Sequence, residues 1–129
     1  METAQQFIHR KEQQFDEEKE KQQTIKMKDI GRREKLIFMR EAWTFMPQSN
    51  LDKKVFVIER FRKVGDGKGY AYRYAWKEGD IEYRFGYYIV GQIGRAENKW
   101  WWGQSCPILP EKDLMKLVNK AKRDGTILS

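Results

Sequence analysis

The sequence predicts an α+β fold: an antiparallel meander of about four strands packed with a C-terminal helix, preceded by a basic amphipathic helix and a polar helical leader. Three features point to it. Apolar and polar residues alternate with a period of two through residues 70–77 and 81–89, after a β-branched and aromatic run over 55–62. Clusters of Gly and Asp separate these runs as turns. Leu114, Leu117, Val118 and Ala121 make one apolar stripe at helical spacing between Pro110 and Gly125. A chain of 129 residues, 40% hydrophobic and 35% charged, has the length of one domain.

The elements follow in order. Residues 1–28 read as a helical or partly disordered leader, rich in Gln, Glu and Lys, ahead of a single α+β domain over 29–129. Ile8 and Phe15 are a heptad apart, but Gln22 breaks that register, so no coiled coil is expected. Leu36, Met39, Trp43 and Met46 follow at spacings of three and four, with Arg32, Arg33, Lys35 and Arg40 beside them, which predicts an amphipathic helix ended by Pro47. Three strands are expected at 55–62, 70–77 and 81–89, the first two joined by a turn at 65–69. A fourth is expected from Lys99 through Trp100, Trp101 and Trp102 towards Cys106. The C-terminal helix starts at Pro110, with Glu111 and Asp113 at its positive end and Lys120, Lys122 and Arg123 at its negative end, and stops at Gly125. The aromatic face of the sheet, including Tyr83, Phe85 and Tyr87, is expected to pack beneath it. By alternation Trp100 and Trp102 follow the core and Trp101 faces water.

Charge and composition restrict the chemistry. The net charge is +7, and residues 1–28 hold six Lys/Arg and six Asp/Glu, so the whole excess lies in 29–129. Eleven of the eighteen aromatic residues lie between Tyr70 and Trp102, so the basic part of the chain is also the aromatic part. No apolar run approaches the roughly 18 residues of a membrane-spanning helix, and the start has no secretory pattern. No membrane association is expected, and the cytoplasm is the expected location. The one cysteine, Cys106, excludes an internal disulfide and reads as a small core residue. The one histidine, His9, lies in the leader, which leaves nucleophilic triads and the usual zinc sites without parts. No cofactor is implied.

One enzymatic route needs only carboxylates and a cation: a Mg²⁺-dependent nuclease using Asp80, Glu82 and Arg84, with Glu59 alongside. Gly65, Gly67 and Gly69 lack the spacing of a phosphate-binding loop and read as a hairpin turn. Residues 68–75, Lys-Gly-Tyr-Ala-Tyr-Arg-Tyr-Ala, resemble the RNP1 segment of the RNA-recognition motif, which implies that Tyr70 and Tyr72 stack on bases. Arg73, Ala75 and the strand that follows depart from that family, and the chain is not assigned to it.

The leading expectation is therefore a small non-catalytic protein that binds or associates with nucleic acid, DNA or RNA, through a basic sheet face interleaved with aromatic residues. The candidate contacts are Arg60, Arg62, Arg73, Lys77, Arg84 and Trp101, with Tyr88 as a further stacking surface and Lys120, Lys122 and Arg123 as a second basic patch. The alternative is a protein-interaction or self-association module that docks through residues 1–28; the nuclease stands third.

Overall fold

The computed structural model describes residues 1–27, 36–64 and 78–128. Five strands form one antiparallel sheet in chain order, curled as a half-barrel: β1 (Ile25–Met27), β2 (Leu36–Gln48), β3 (Leu51–Lys63), β4 (Ile81–Val90) and β5 (Trp100–Trp102). Helix α1 (Ala4–Glu20) covers one face and helix α2 (Glu111–Arg123) the other. Both helices lie over β2 and β3.

That arrangement explains β3. A strand covered on both faces reads as a continuous apolar run rather than an alternating one, and Val55 through Glu59 are all buried. Val55 and Val57 pack with Phe7, Ile8 and Phe15 of α1, while Phe56 and Ile58 pack with Leu117 and Ala121 of α2. Burying a Phe or Ile side chain contributes about 1.5–3 kcal/mol, so α1 is held firmly. Its first turn is closed by a capping box, in which Thr3 Oγ1 accepts from the Gln6 amide at 3.1 Å and Gln6 Oε1 from the Thr3 amide at 2.9 Å. The segment read as a helical or partly disordered leader thus contains a helix with its Phe7, Ile8 and Phe15 in the core.

Residues 36–46 correct the expected amphipathic helix: they are part of β2. The cause is a β-bulge between Arg40 and Ala42, which sets Arg40 opposite Phe61 and Ala42 opposite Arg60 and leaves Glu41 as the extra residue. Phe38 and Arg40 face α1 before the bulge, and Trp43 and Phe45 face it after, at spacings of two, three and two. Met46 packs on the α2 side instead. Apolar residues on both faces plus one phase slip imitate a helical period. Pro47 sits near the strand end, opposite Val55, and a turn at Ser49 and Asn50 leads straight into β3.

The expected strand at 70–77 and its turn lie outside the described residues. Among the described residues, β3 is flanked by β2 on one side and β4 on the other. Three burial expectations are also corrected. Tyr83 (46% exposed) and Phe85 (36%) are not enclosed by α2, which reaches only as far as Tyr87. Leu114 faces water, and Asp113 is buried instead, its Oδ2 accepting from the Ser49 amide at 2.9 Å. Cys106 is exposed on the loop after β5, beyond the core.

Candidate functional site

Helix α1 covers β2 and β3, so the β4–β5 part of the same face is left beside it as a groove. The floor is aromatic for a local reason. Gly86 of β4 has no side chain, and the Trp102 indole lies directly over it; a Cβ there would come within 2.2 Å of the ring. A glycine inside a strand often marks such a close approach. Tyr88 meets Trp102 edge-on at 5.0 Å, and Trp100 stacks on Phe7 at 4.7 Å while its Nε1 donates to the Glu2 carbonyl. Burial, and secondarily Glu59, push the Tyr88 hydroxyl up to about 12. The earlier expectation of an exposed Tyr88 is corrected: it is a core residue, 7% exposed.

Cations ring this floor. Glu59, fully buried, accepts from Arg40 Nε at 3.3 Å and Arg84 Nε at 2.7 Å, one arginine on each oxygen. Arg40 also donates to Glu18 at 2.8 Å and lies 3.8 Å from the Phe15 ring centroid. Arg84 stacks over Trp102 at 4.5 Å and Phe61 at 5.1 Å. Arg10 forks onto Glu2 at 2.8 and 2.9 Å, and these hydrogen bonds hold the Glu2 carboxyl below the usual range. Lys11 makes no ion pair among the described residues; its ammonium sits 5.2 Å from the Tyr88 centroid and reaches only Gln14 Oε1, at 3.3 Å.

The groove has two contiguous parts. One, of about 370 Å³, is lined by Arg10, Lys11, Arg84, Tyr88 and the three tryptophans of β5. The other, of about 300 Å³, continues past Arg10, Trp100 and Trp101 to Asn98 and Lys99. Arg10, Lys11, Arg84 and Lys99 therefore line it against the carboxylate of Glu2, a net positive balance.

The residues singled out from the sequence do not share one surface. Arg84 and Trp101 both border the groove. Trp101, opposite Ile89 in the register, is 49% exposed at the sheet edge. Arg60 and Arg62 lie on the α2 face, both clasped by Glu41. Arg60 donates to it at 2.7 Å and also to the Gly125 and Thr126 carbonyls; Arg62 forks onto it at 2.8 Å and reaches the Gly79 carbonyl. Burial alone would raise the Glu41 pKa, but the hydrogen bonds from Arg62 and Arg60 outweigh it and lower the carboxyl. Lys120 pairs with Asp124 at 3.1 Å, while Lys122 and Arg123 are exposed in the last turn of α2. Arg73 and Lys77 lie outside the described residues.

Glu59 is not free to join Asp80 and Glu82 as a metal ligand, since both of its oxygens are held by arginines. Among the described residues no group of three or more His, Cys, Asp or Glu is placed to hold a metal ion. No described helix is long and apolar enough to cross a membrane.

Arg10, Lys11 and Lys99 are groove residues that sequence reasoning missed. For Lys11 a signal existed: it lies four residues after Phe7 and four before Phe15, on the apolar stripe of the leader rather than its solvated side. Compared with known protein families, curated proteins and solved structures, the chain matches none.

Proposed function

We propose that this is a non-catalytic nucleic-acid-binding protein whose groove beside α1 holds the phosphate backbone of a nucleic-acid strand. The observation that carries this reading is Lys11, a cation without a carboxylate partner among the described residues, which lines one cleft with Arg10 and Arg84 and lies over the Tyr88 ring. A positive cleft with apolar walls concentrates its field on an incoming anion. The net charge of +7 favours association with a polyanion. Trp101 and Lys99 extend the cationic and aromatic lining along the sheet edge.

The competing docking role for residues 1–28 has less support, because Phe7, Ile8 and Phe15 are buried within the chain itself. What α1 presents outward is mainly Gln, Glu and Lys.

The test is titration of labelled single- and double-stranded oligonucleotides, read by anisotropy and by quenching of tryptophan emission. Binding should weaken steeply as salt rises, and Lys11→Ala with Lys99→Ala should reduce the slope of log K against log salt by about two. Lys122→Ala with Arg123→Ala should leave the slope unchanged. Absence of binding at low salt defeats the reading.

A further inference from the structure

Lys11 differs from every other cation of the groove in where its helix puts it. Ala4, Phe7, Ile8 and Phe15 form the buried stripe of α1, and Lys11 occupies the position in that stripe where a core helix ordinarily carries an apolar side chain. The ammonium lies over the Tyr88 and Phe15 rings, at 5.2 and 5.8 Å. It borders the groove on one side and, on the other, a second cleft of about 210 Å³ lined by Gln14, Phe15, Glu18 and Arg40. Its one hydrogen bond, to the neutral Gln14 amide, is long.

The charges facing it are arranged against its proton. Arg10 lies beside it on α1 and Arg40 approaches from β2; Glu18 and Glu59 would favour the ammonium, but Arg40 and Arg84 hold their carboxylates. Tyr88, from β4, keeps its own proton at neutral pH. Burial first, then Arg10 and Arg40, lower the Lys11 pKa from its ordinary range. A desolvated lysine beside other cations gives up its proton more readily than a solvated one, which makes its amine form a better-populated nucleophile.

We propose that Lys11 captures a phosphate-bearing aldehyde as an imine, with Arg10 and Arg84 holding the phosphate. The deprotonated fraction of Lys11 attacks the carbonyl carbon and forms the C–N bond, the remainder staying cationic. The amine proton passes to the carbonyl oxygen through solvent, and the resulting carbinolamine loses water to give the C=N bond. No oxidant or reductant takes part. The aldehyde has two sources: a free phosphorylated aldehyde, or the ring-opened sugar of an abasic nucleotide within a strand, and the second rests on the nucleic-acid reading above.

The experiment uses the full chain. In one arm it is incubated with substoichiometric pyridoxal 5′-phosphate and reduced with sodium borohydride, and peptide mapping locates the label among the lysines. In the other, a single-stranded oligonucleotide carrying one abasic site replaces the small aldehyde, and the readout is a crosslink that survives denaturation. Binding of the undamaged oligonucleotide is measured in parallel. The expected result is label and crosslink on Lys11, both lost in Lys11→Arg with an unchanged melting temperature and both retained in Lys122→Arg. Label spread evenly over the lysines, or retained in Lys11→Arg, overturns the proposal. Oligonucleotide binding without trapping of either aldehyde overturns it while leaving the nucleic-acid reading in place. Trapping of pyridoxal phosphate with no oligonucleotide binding supports the amine and removes the nucleic-acid source.

Discussion

The two faces of the sheet use arginine in opposite ways. On the α2 face, Arg60 and Arg62 converge on Glu41, and their remaining donors go to the carbonyls of Gly79, Gly125 and Thr126. Their work is structural: they tie β2 and β3 to the chain end behind α2. On the α1 face, Arg40 and Arg84 share Glu59 and Arg40 also holds Glu18, while Lys11 beside them has no carboxylate among the described residues. The same residue types therefore close one face and leave the other electropositive. What separates a structural arginine from a binding one here is the supply of acceptors, which residue type alone does not reveal.

The largest expected effect breaks the contrast at its centre. Glu59→Ala leaves Arg40 and Arg84 buried or half-buried without their shared anion, and should destabilise the fold by about 3–5 kcal/mol, measured by urea denaturation. A loss within about 0.5 kcal/mol would mean that the two arginines find water instead. Gly86→Ala comes next: the new methyl would collide with the Trp102 indole, and displacing that ring should cost about 1–3 kcal/mol and shift the tryptophan emission to the red. Trp101→Ala should leave stability nearly unchanged and weaken single-stranded oligonucleotide binding by about 1–3 kcal/mol, checked by anisotropy.

The smallest effect sharpens the other face. Because the Glu41 carboxyl is lowered in the folded state, its contribution is fully present above its unfolded pKa and is lost as pH falls through the folded value. Stability should fall on acidification below the ordinary carboxylate range, and Glu41→Gln should flatten that dependence in thermal melts recorded across the range.

The general architecture was legible from local pattern. Pro110, the acidic first turn, the basic last turn and Gly125, whose φ is +78°, delimit α2 as expected. The alternation along β4 separates its two faces, but not their cover: Trp100 and Trp102 pack against α1 with the buried Tyr88, on the face opposite Tyr83, Phe85 and Tyr87 and not beneath α2, while Trp101 is exposed as expected. β2 was illegible because one bulged residue, Glu41, interrupts its alternation, and a bulge has no residue signature of its own when no glycine marks it. The groove was partly illegible for a different reason. Arg84 and Trp101 stood out on the sheet, but Lys11 and Arg10 reach it from a helix more than seventy residues earlier in the chain. Only the docking of α1, driven by Phe7, Ile8 and Phe15, brings them there.

The placement of β5 has a consequence for motion. β3 is the central strand and is covered on both faces, so its amides should exchange with solvent hydrogen only through global unfolding. β5 is three residues long and lies at the sheet edge, held to β4 through Tyr88, Ile89 and Val90. Its amides should exchange by local opening, far sooner. The β5 edge of the groove should therefore open before its floor on β4 does.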